Sequence, residues 1–118
     1  MADKANIPEK LATFSEQWAP RIIARYNDNE VRLVKVAGEF IWHSHEDTDE
    51  LFLVLDGVLD MELRDRTVRL DPGDLFVVPR GTEHRPCAHH GEVKLLLIDA
   101  VDTPNTGDLA TATKAVEI

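Results

Sequence analysis

Residues 38–57 read GEFIWHSHEDTDELFLVLDG. His43 and His45 stand one residue apart, so on an extended chain both imidazoles leave the same face, roughly 7 Å apart at Cα. From there both ring nitrogens can reach one metal ion at about 2.1 Å. Two histidines simply buried and hydrogen-bonded on a strand would look the same, so the pair needs further ligands to carry weight. Glu50 comes five positions after His45, which on an unbroken strand would turn it to the opposite face. The run Glu46-Asp47-Thr48-Asp49 reads as a loop that breaks this alternation and can return Glu50 inward. Glu50 also heads the apolar run Leu51–Leu55, where an unpaired carboxylate is costly and a bound cation would remove the cost. Asp49 is the competing carboxylate, with a solvated loop position as its ordinary role. Glu46 and Asp47 are expected in solvent or capping the loop.

Downstream, Asp56-Gly57 is a hairpin signal, because such a turn needs positive φ. Leu59, Met61 and Leu63 then alternate with Asp60, Glu62 and Arg64, as in a strand with one wet face. Asp65-Arg66 can turn the chain into TVRL, Asp71-Pro72-Gly73-Asp74 is a second turn, and LFVVP is another buried strand. Pro79-Arg80-Gly81 ends it and lets the chain bend so that His84 lies at the mouth of a strand. His84 is therefore a third candidate ligand, with a surface histidine after a turn as its rival reading. His89-His90-Gly91 reads as a further turn, with both histidines exposed, before EVKLLLIDAV. Cys87 lies near His84, but a single cysteine in a strand behaves as a small apolar residue. Short strands at close spacing, with turns rich in Gly, Pro and Asp, predict an all-β barrel or sandwich.

Upstream, VRLVKVAG is a strand closed by Gly38, and residues 8–18, PEKLATFSEQW, predict a short helix stopped by Pro20. Leu11, Phe14 and Trp18 fall on one face of it, a stripe expected to pack on the domain or on a partner subunit. The expected division is an N-terminal helical arm (1–20), a barrel (21–101) and a small, polar C-terminal tail (102–118). One domain suits 118 residues, and 43% apolar content suffices for a core. The net charge of −9 disfavours phosphate backbones and anionic membranes, so no nucleic-acid or membrane partner is expected. MADKANIPEK lacks an apolar stretch of signal-peptide length, and no apolar run approaches a membrane span. With Cys87 alone, no internal disulfide can form. A cytoplasmic location is the expectation.

Two motifs in this order resemble the cupin family. The first is Gly38-EFIW-His43-Ser44-His45-EDTD-Glu50-LFLVLD-Gly57, and the second is Gly73-DLFVV-Pro79-Arg80-Gly81-TE-His84-RPC-Ala88. Four residues rather than the family's five separate Gly38 from His43, and Ala88 stands where the family pattern ends in Asn. The resemblance implies a jelly-roll β-barrel in which His43, His45, Glu50 and His84 converge. WHSHEDTDELFLVLDG, VPRGTEH and TPNTGD are closer still to small cupins labelled mannose-6-phosphate isomerase-like, a relationship of fold. Cupins commonly form homodimers, and the same is expected here.

Three imidazoles with one carboxylate suit one divalent transition metal (Fe, Mn, Ni, Co or Zn) and disfavour Ca and Mg. Four protein ligands leave positions for a small-molecule ligand, as in catalytic sites. The expected function is a metal-dependent enzyme acting on a small oxygenated molecule, as an oxygenase or an isomerase or lyase. The alternative is a non-catalytic module that binds a sugar or acid. Phe40, Phe52, Val54, Leu59, Met61 and Phe76 are candidate pocket walls. Arg80, Arg85 and Lys94 are the cations that could grip a phosphosugar, with solvated charge as their ordinary role. Ser44 should point away from its histidine neighbours, Glu83 should be exposed, and no general base is identifiable.

Overall fold

Among the described residues, alternating apolar side chains form eight strands: β1 (Arg21–Tyr26), β2 (Asn29–Glu39), β3 (Glu50–Asp56), β4 (Leu59–Leu63), β5 (Thr67–Leu70), β6 (Leu75–Val78), β7 (His84–Ala100) and β8 (Val116–Glu117). One short helix, α1 (Ile7–Leu11), precedes them. The computed structural model describes residues 4–118, so the first three residues of the expected arm lie outside it.

The architecture is a cupin-type jelly roll organised by β7. Along one edge β7 pairs with β2, from Glu39↔Cys87 to Asn29↔Ala100. Along the other it pairs first with β4, Leu63↔His84 to Asp60↔Cys87, and then with β3, Val54↔Leu95 to Leu51↔Ile98. Serving two partners in succession bends β7 and rolls the sheet around its inner face. Val34, Val36, Phe52, Val54, Leu59, Met61, Leu95 and Leu97 fill that face as one cluster.

Local expectations gave way at several points. Asp56-Gly57 makes no hairpin: β3 pairs with β6 and β7, and β4 with β5 and β7. The turn is a corner, with Gly57 at φ 87 and so close to β7 that a Cβ would lie 2.7 Å from the Glu92 carbonyl oxygen. His89-His90-Gly91 is no turn either, but lies within β7 where its register against β2 shifts. A bulge of this kind sharpens the bend of a strand. The apolar runs are buried on one face only: Leu75 and Val77 of β6 are 56% and 44% exposed. Phe40–His45 form no continuous ladder: His43 makes an isolated bridge with His84, and the Phe40 N–H donates to the Pro86 carbonyl at 3.1 Å.

The arm differs most. Its helix starts as expected, with the Asn6 side chain accepting from the Glu9 N–H at 2.9 Å. It ends at Leu11, well short of residue 18. The buried Lys35 ammonium donates to the carbonyls of Leu11 (2.7 Å) and Phe14, and the Thr13 hydroxyl takes the Lys10 carbonyl (2.7 Å). Those acceptors are thereby withdrawn from a longer helix. Phe14 instead packs against Ile23 and Leu33 on the outer face of the sheet. Trp18, at φ 58, turns toward the barrel mouth and stacks on Phe40 at 4.6 Å. The tail ends in β8, parallel to β1, and the Lys10 ammonium donates to the Ile118 carbonyl at 2.9 Å. No helix among the described residues is long and apolar enough to cross a membrane.

Candidate metal centre

His43 and His84 are brought together by backbone. Their N–H and C=O groups exchange two hydrogen bonds, of 3.1 and 2.9 Å, and the rings sit with centroids 4.2 Å apart. His45 is held by its carbonyl, which accepts from the Gly81 N–H at 2.9 Å, so the bend before His84 also anchors the His-x-His segment. The loop then closes on itself, with the Ser44 hydroxyl donating to Glu46 (2.7 Å) and the Arg80 N–H donating to Asp49 (2.9 Å). The expectation for Ser44 and Asp49 therefore holds. Beyond the loop, Glu50 opens β3 on the same inner face as Phe52 and Val54.

All four side chains are buried, and one ligand atom from each lies within 4.8 Å of the others. Glu50 Oε1 is 3.3 Å from His45 Nε2 and 3.5 Å from His84 Nε2. The Nδ1 atoms of His43 and His84 lie 2.9 and 3.0 Å from the carbonyls of Ile41 and Thr82. Those contacts put the proton on Nδ1 and turn the Nε2 lone pairs inward, the arrangement of a metal-ligating imidazole. His84 Nε2 and both ring nitrogens of His45 have no hydrogen-bond partner although fully buried. Leaving such atoms unpaired costs about 1–3 kcal/mol each, and a cation among them would offset that. The donor set fits a divalent transition metal.

Charge states agree with that fit. Burial, reinforced by the nearby His84, pushes His43 down to about 4, so at neutral pH it is the uncharged imidazole a metal requires. Burial alone would raise the Glu50 carboxyl, but the adjoining His45, His84 and Asp99 side chains outweigh it and hold Glu50 below its ordinary value.

A family model for the cupin domain matches residues 30–101. The chain belongs to the cupin family. It is 36% identical over 103 residues to the uncharacterized protein YdbB of Bacillus subtilis (strain 168), covering 79% of this chain and 85% of that protein. A cupin-2 domain containing protein from Shewanella frigidimarina NCIMB 400 has a similar structure, with TM-score 0.79, 44% identity and coverage of 81% of this chain and 93% of that one. The structure of protein NMB1881 from Neisseria meningitidis is also similar, with TM-score 0.76, 29% identity and coverage of 83% and 99%.

In this cupin two of the four side chains, His43 and Glu50, border a cavity of about 40 Å³. Of the expected wall residues, Phe40 and Phe52 line it. Val54, Leu59 and Met61 belong to the core, and Phe76 packs against that core from partial exposure. None of the expected cations reaches the cavity. Arg80 is exposed beside Asp49, Arg85 is paired with Glu62 on the outer face, and Lys94 pairs across from Asp56 on the outer side of β7.

The cavity's polar groups are instead Arg32, Asp99 and Asn105, none of which the sequence reading named. Arg32 donates through Nε and Nη2 to Glu30 (3.1 and 2.6 Å), through Nη1 to the Thr103 carbonyl (3.0 Å), and lies 3.6 Å from Asp99. Both Asp99 oxygens are buried without a hydrogen-bond partner. Burial, then the negative charge of Glu50, raises the Asp99 carboxyl well above its usual value. A signal was present: in Val93, Leu95, Leu97 and Asp99, and in Glu30, Arg32, Val34 and Val36, charge occupies inward positions of the alternation. Trp18 and Asn105 carried no such signal, because arm and tail reach the mouth through tertiary contacts. The Trp18 indole donates to the Ala37 carbonyl (3.0 Å), and Asn105 donates to the Trp18 carbonyl (3.5 Å).

Proposed function

We propose that His43, His45, Glu50 and His84 bind one divalent transition metal, and that the protein is a metal-dependent enzyme of isomerase or lyase type acting on a small oxygenated molecule. The observation that carries this reading is the meeting of buried imidazole nitrogens that lack hydrogen-bond partners and a carboxylate beside a cavity that also holds Asp99, whose oxygens accept no hydrogen bond. A bound metal would supply Lewis-acid polarisation of a ligand oxygen. The chain supplies the rest. Ile41 and Thr82 carbonyls fix two of the imidazoles. Trp18, Phe40, Val34 and Leu97 exclude water from one side of the ligand. Asp99, which burial and the Glu50 charge favour in its protonated form, can give its proton to a ligand carbonyl oxygen and then, as the carboxylate, take the hydrogen from the adjacent carbon. An oxygenase needs no such proton carrier, so Asp99 favours the isomerase or lyase reading.

A phosphorylated sugar suits the cavity poorly. It offers about 40 Å³, and its one cation, Arg32, already has Glu30, Asp99 and Thr103 as partners. A compact, uncharged hydroxy-carbonyl compound matches it better. We also propose that two copies associate through the outer face of β3 and β6, where exposed Leu75 and Val77 adjoin the half-buried Leu53 and Leu51. Light scattering should report twice the chain mass for wild type and the single mass for Val77→Lys with an unchanged circular dichroism spectrum. A wild-type monomer would end that proposal.

Metal analysis of protein purified without added metal or affinity tag tests the centre, with His84→Ala as comparison. Equal sub-stoichiometric metal in both would defeat it. For the chemistry, metal-loaded protein is incubated with dihydroxyacetone in D₂O, and deuterium uptake at carbon is followed by NMR. Uptake by wild type, lost in Asp99→Asn with metal content retained, is expected. Binding of dihydroxyacetone to wild type with no uptake would favour the non-catalytic binding module.

A further inference from the structure

We infer that the outer face of the sheet carries a second, independent cation site, built from Glu62, Cys87 and His89 and suited to a soft divalent ion of the zinc or cadmium kind. Strand alternation creates it. His84, Pro86 and Ala88 point inward, so Arg85, Cys87 and His89 point outward from the same stretch of β7. In the β4–β7 register Glu62 lies opposite Arg85 and Asp60 opposite Cys87, which places Glu62 diagonally beside the cysteine on that outer face. One ligand atom from each of Glu62, Cys87 and His89 lies within 4.8 Å of the others.

One of the three side chains is fixed in place by a neighbouring cation. Arg85 grips one Glu62 oxygen through Nε (2.9 Å) and Nη2 (2.6 Å). The other oxygen, Oε2, is left facing His89 Nε2 at 3.8 Å. A fixed carboxylate with one free oxygen is what an outer hydrogen-bonding partner confers on a metal ligand. Cys87 sits at the floor with no exposed surface, while the His89 ring is 38% exposed and free to swing over it. Ligand atoms around a tetrahedral zinc ion stand about 3.5 Å apart, so the trio closes on an ion by a small movement of the exposed ring. Asp60 and Glu39 on the same face offset the Arg85 charge. Sulfur, imidazole nitrogen and one carboxylate oxygen select a soft cation, with water as the fourth ligand. As the metal–sulfur bond forms, the thiol proton passes to solvent and no electron is exchanged.

Because the inner centre contains no sulfur, the two sites separate spectroscopically. Metal-stripped full-length protein is titrated with Cd²⁺ while the near-ultraviolet thiolate-to-cadmium charge-transfer band and total bound cadmium are recorded. Wild type should develop the band in step with one equivalent of ion. His84→Ala should keep it while losing the inner ion, and Cys87→Ser should lose it while keeping the inner ion. The combined Glu62→Gln and His89→Ala variant, altered only at partly exposed positions, should form the band at least about tenfold more weakly. No band in wild type would overturn the proposal, as would a band of undiminished affinity in the combined variant, which would mean a lone thiol. The combined variant decides the matter even if Cys87→Ser fails to fold.

Discussion

Acidification should destabilise the metal-stripped protein through His43 by an amount that can be worked out. The imidazole has an ordinary value of 6.5 and is pushed down to about 4 by burial and by His84. Between those values the unfolded chain binds a proton that the folded chain refuses, so stability present above the upper value is lost as pH falls through the window. At 1.36 kcal/mol per unit, the loss comes to about 3 kcal/mol, a substantial part of the roughly 5–15 kcal/mol that holds a domain together. The residue is only 8% exposed, so solvent screens little of this. Asp99 works in the opposite direction, because its raised carboxyl keeps a proton in the folded state and gains stability as pH falls. The wild-type curve alone is therefore ambiguous, and the informative quantity is the difference from His43→Asn. Urea midpoints for both, stripped of metal, are measured at several pH values from 7 down to about 4.5. The wild-type midpoint should fall more steeply, with the gap growing through the window by up to one proton's worth of slope. Parallel curves would refute the reasoning, since they would show that His43 is protonated as readily in the folded protein as in the unfolded one.

Gly57→Ala should lower the melting temperature by the equivalent of about 2 kcal/mol or more, because φ 87 is combined with a 2.7 Å approach to the Glu92 carbonyl oxygen. Gly73→Ala, at φ 91 but with nothing within 4 Å, should cost less, and equal losses in thermal melts would dismiss the close approach. Arg32→Met leaves Asp99 without its cation and Glu30 with only the more distant Arg25 (3.6 Å), and should cost about 3–5 kcal/mol in urea unfolding. Adding Glu30→Leu should recover part of that loss. Lys35→Met removes the donor to the Leu11 and Phe14 carbonyls, so limited proteolysis should cleave the arm faster while the barrel remains intact. An arm cleaved no faster than in wild type would show that its apolar contacts with Ile23 and Leu33 suffice.

Much of this cupin was legible in its sequence because the relevant signals are local. The period-two alternation of Leu59, Met61 and Leu63 follows from backbone geometry and needs no partner strand. The His43-x-His45 spacing, the loop before Glu50 and the bend before His84 likewise act over a few residues, and the four side chains do come together. Three other features depended on where distant segments lie. Asp56-Gly57 has the chemistry of a hairpin, yet β7 offers both adjoining strands a better edge, so the turn became a corner. The stripe over residues 8–18 has helical spacing, yet a lysine on β2 took the carbonyls that a longer helix would have used. Arg32, Asp99 and Asn105 come from three separated stretches, made neighbours by the pairing of β2 with β7 and by the tail reaching Trp18 at the mouth. Propensity and spacing act along the chain and can be read there. Which charge meets which, and which strand edge wins, is settled by the total of contacts formed when the sheet rolls up.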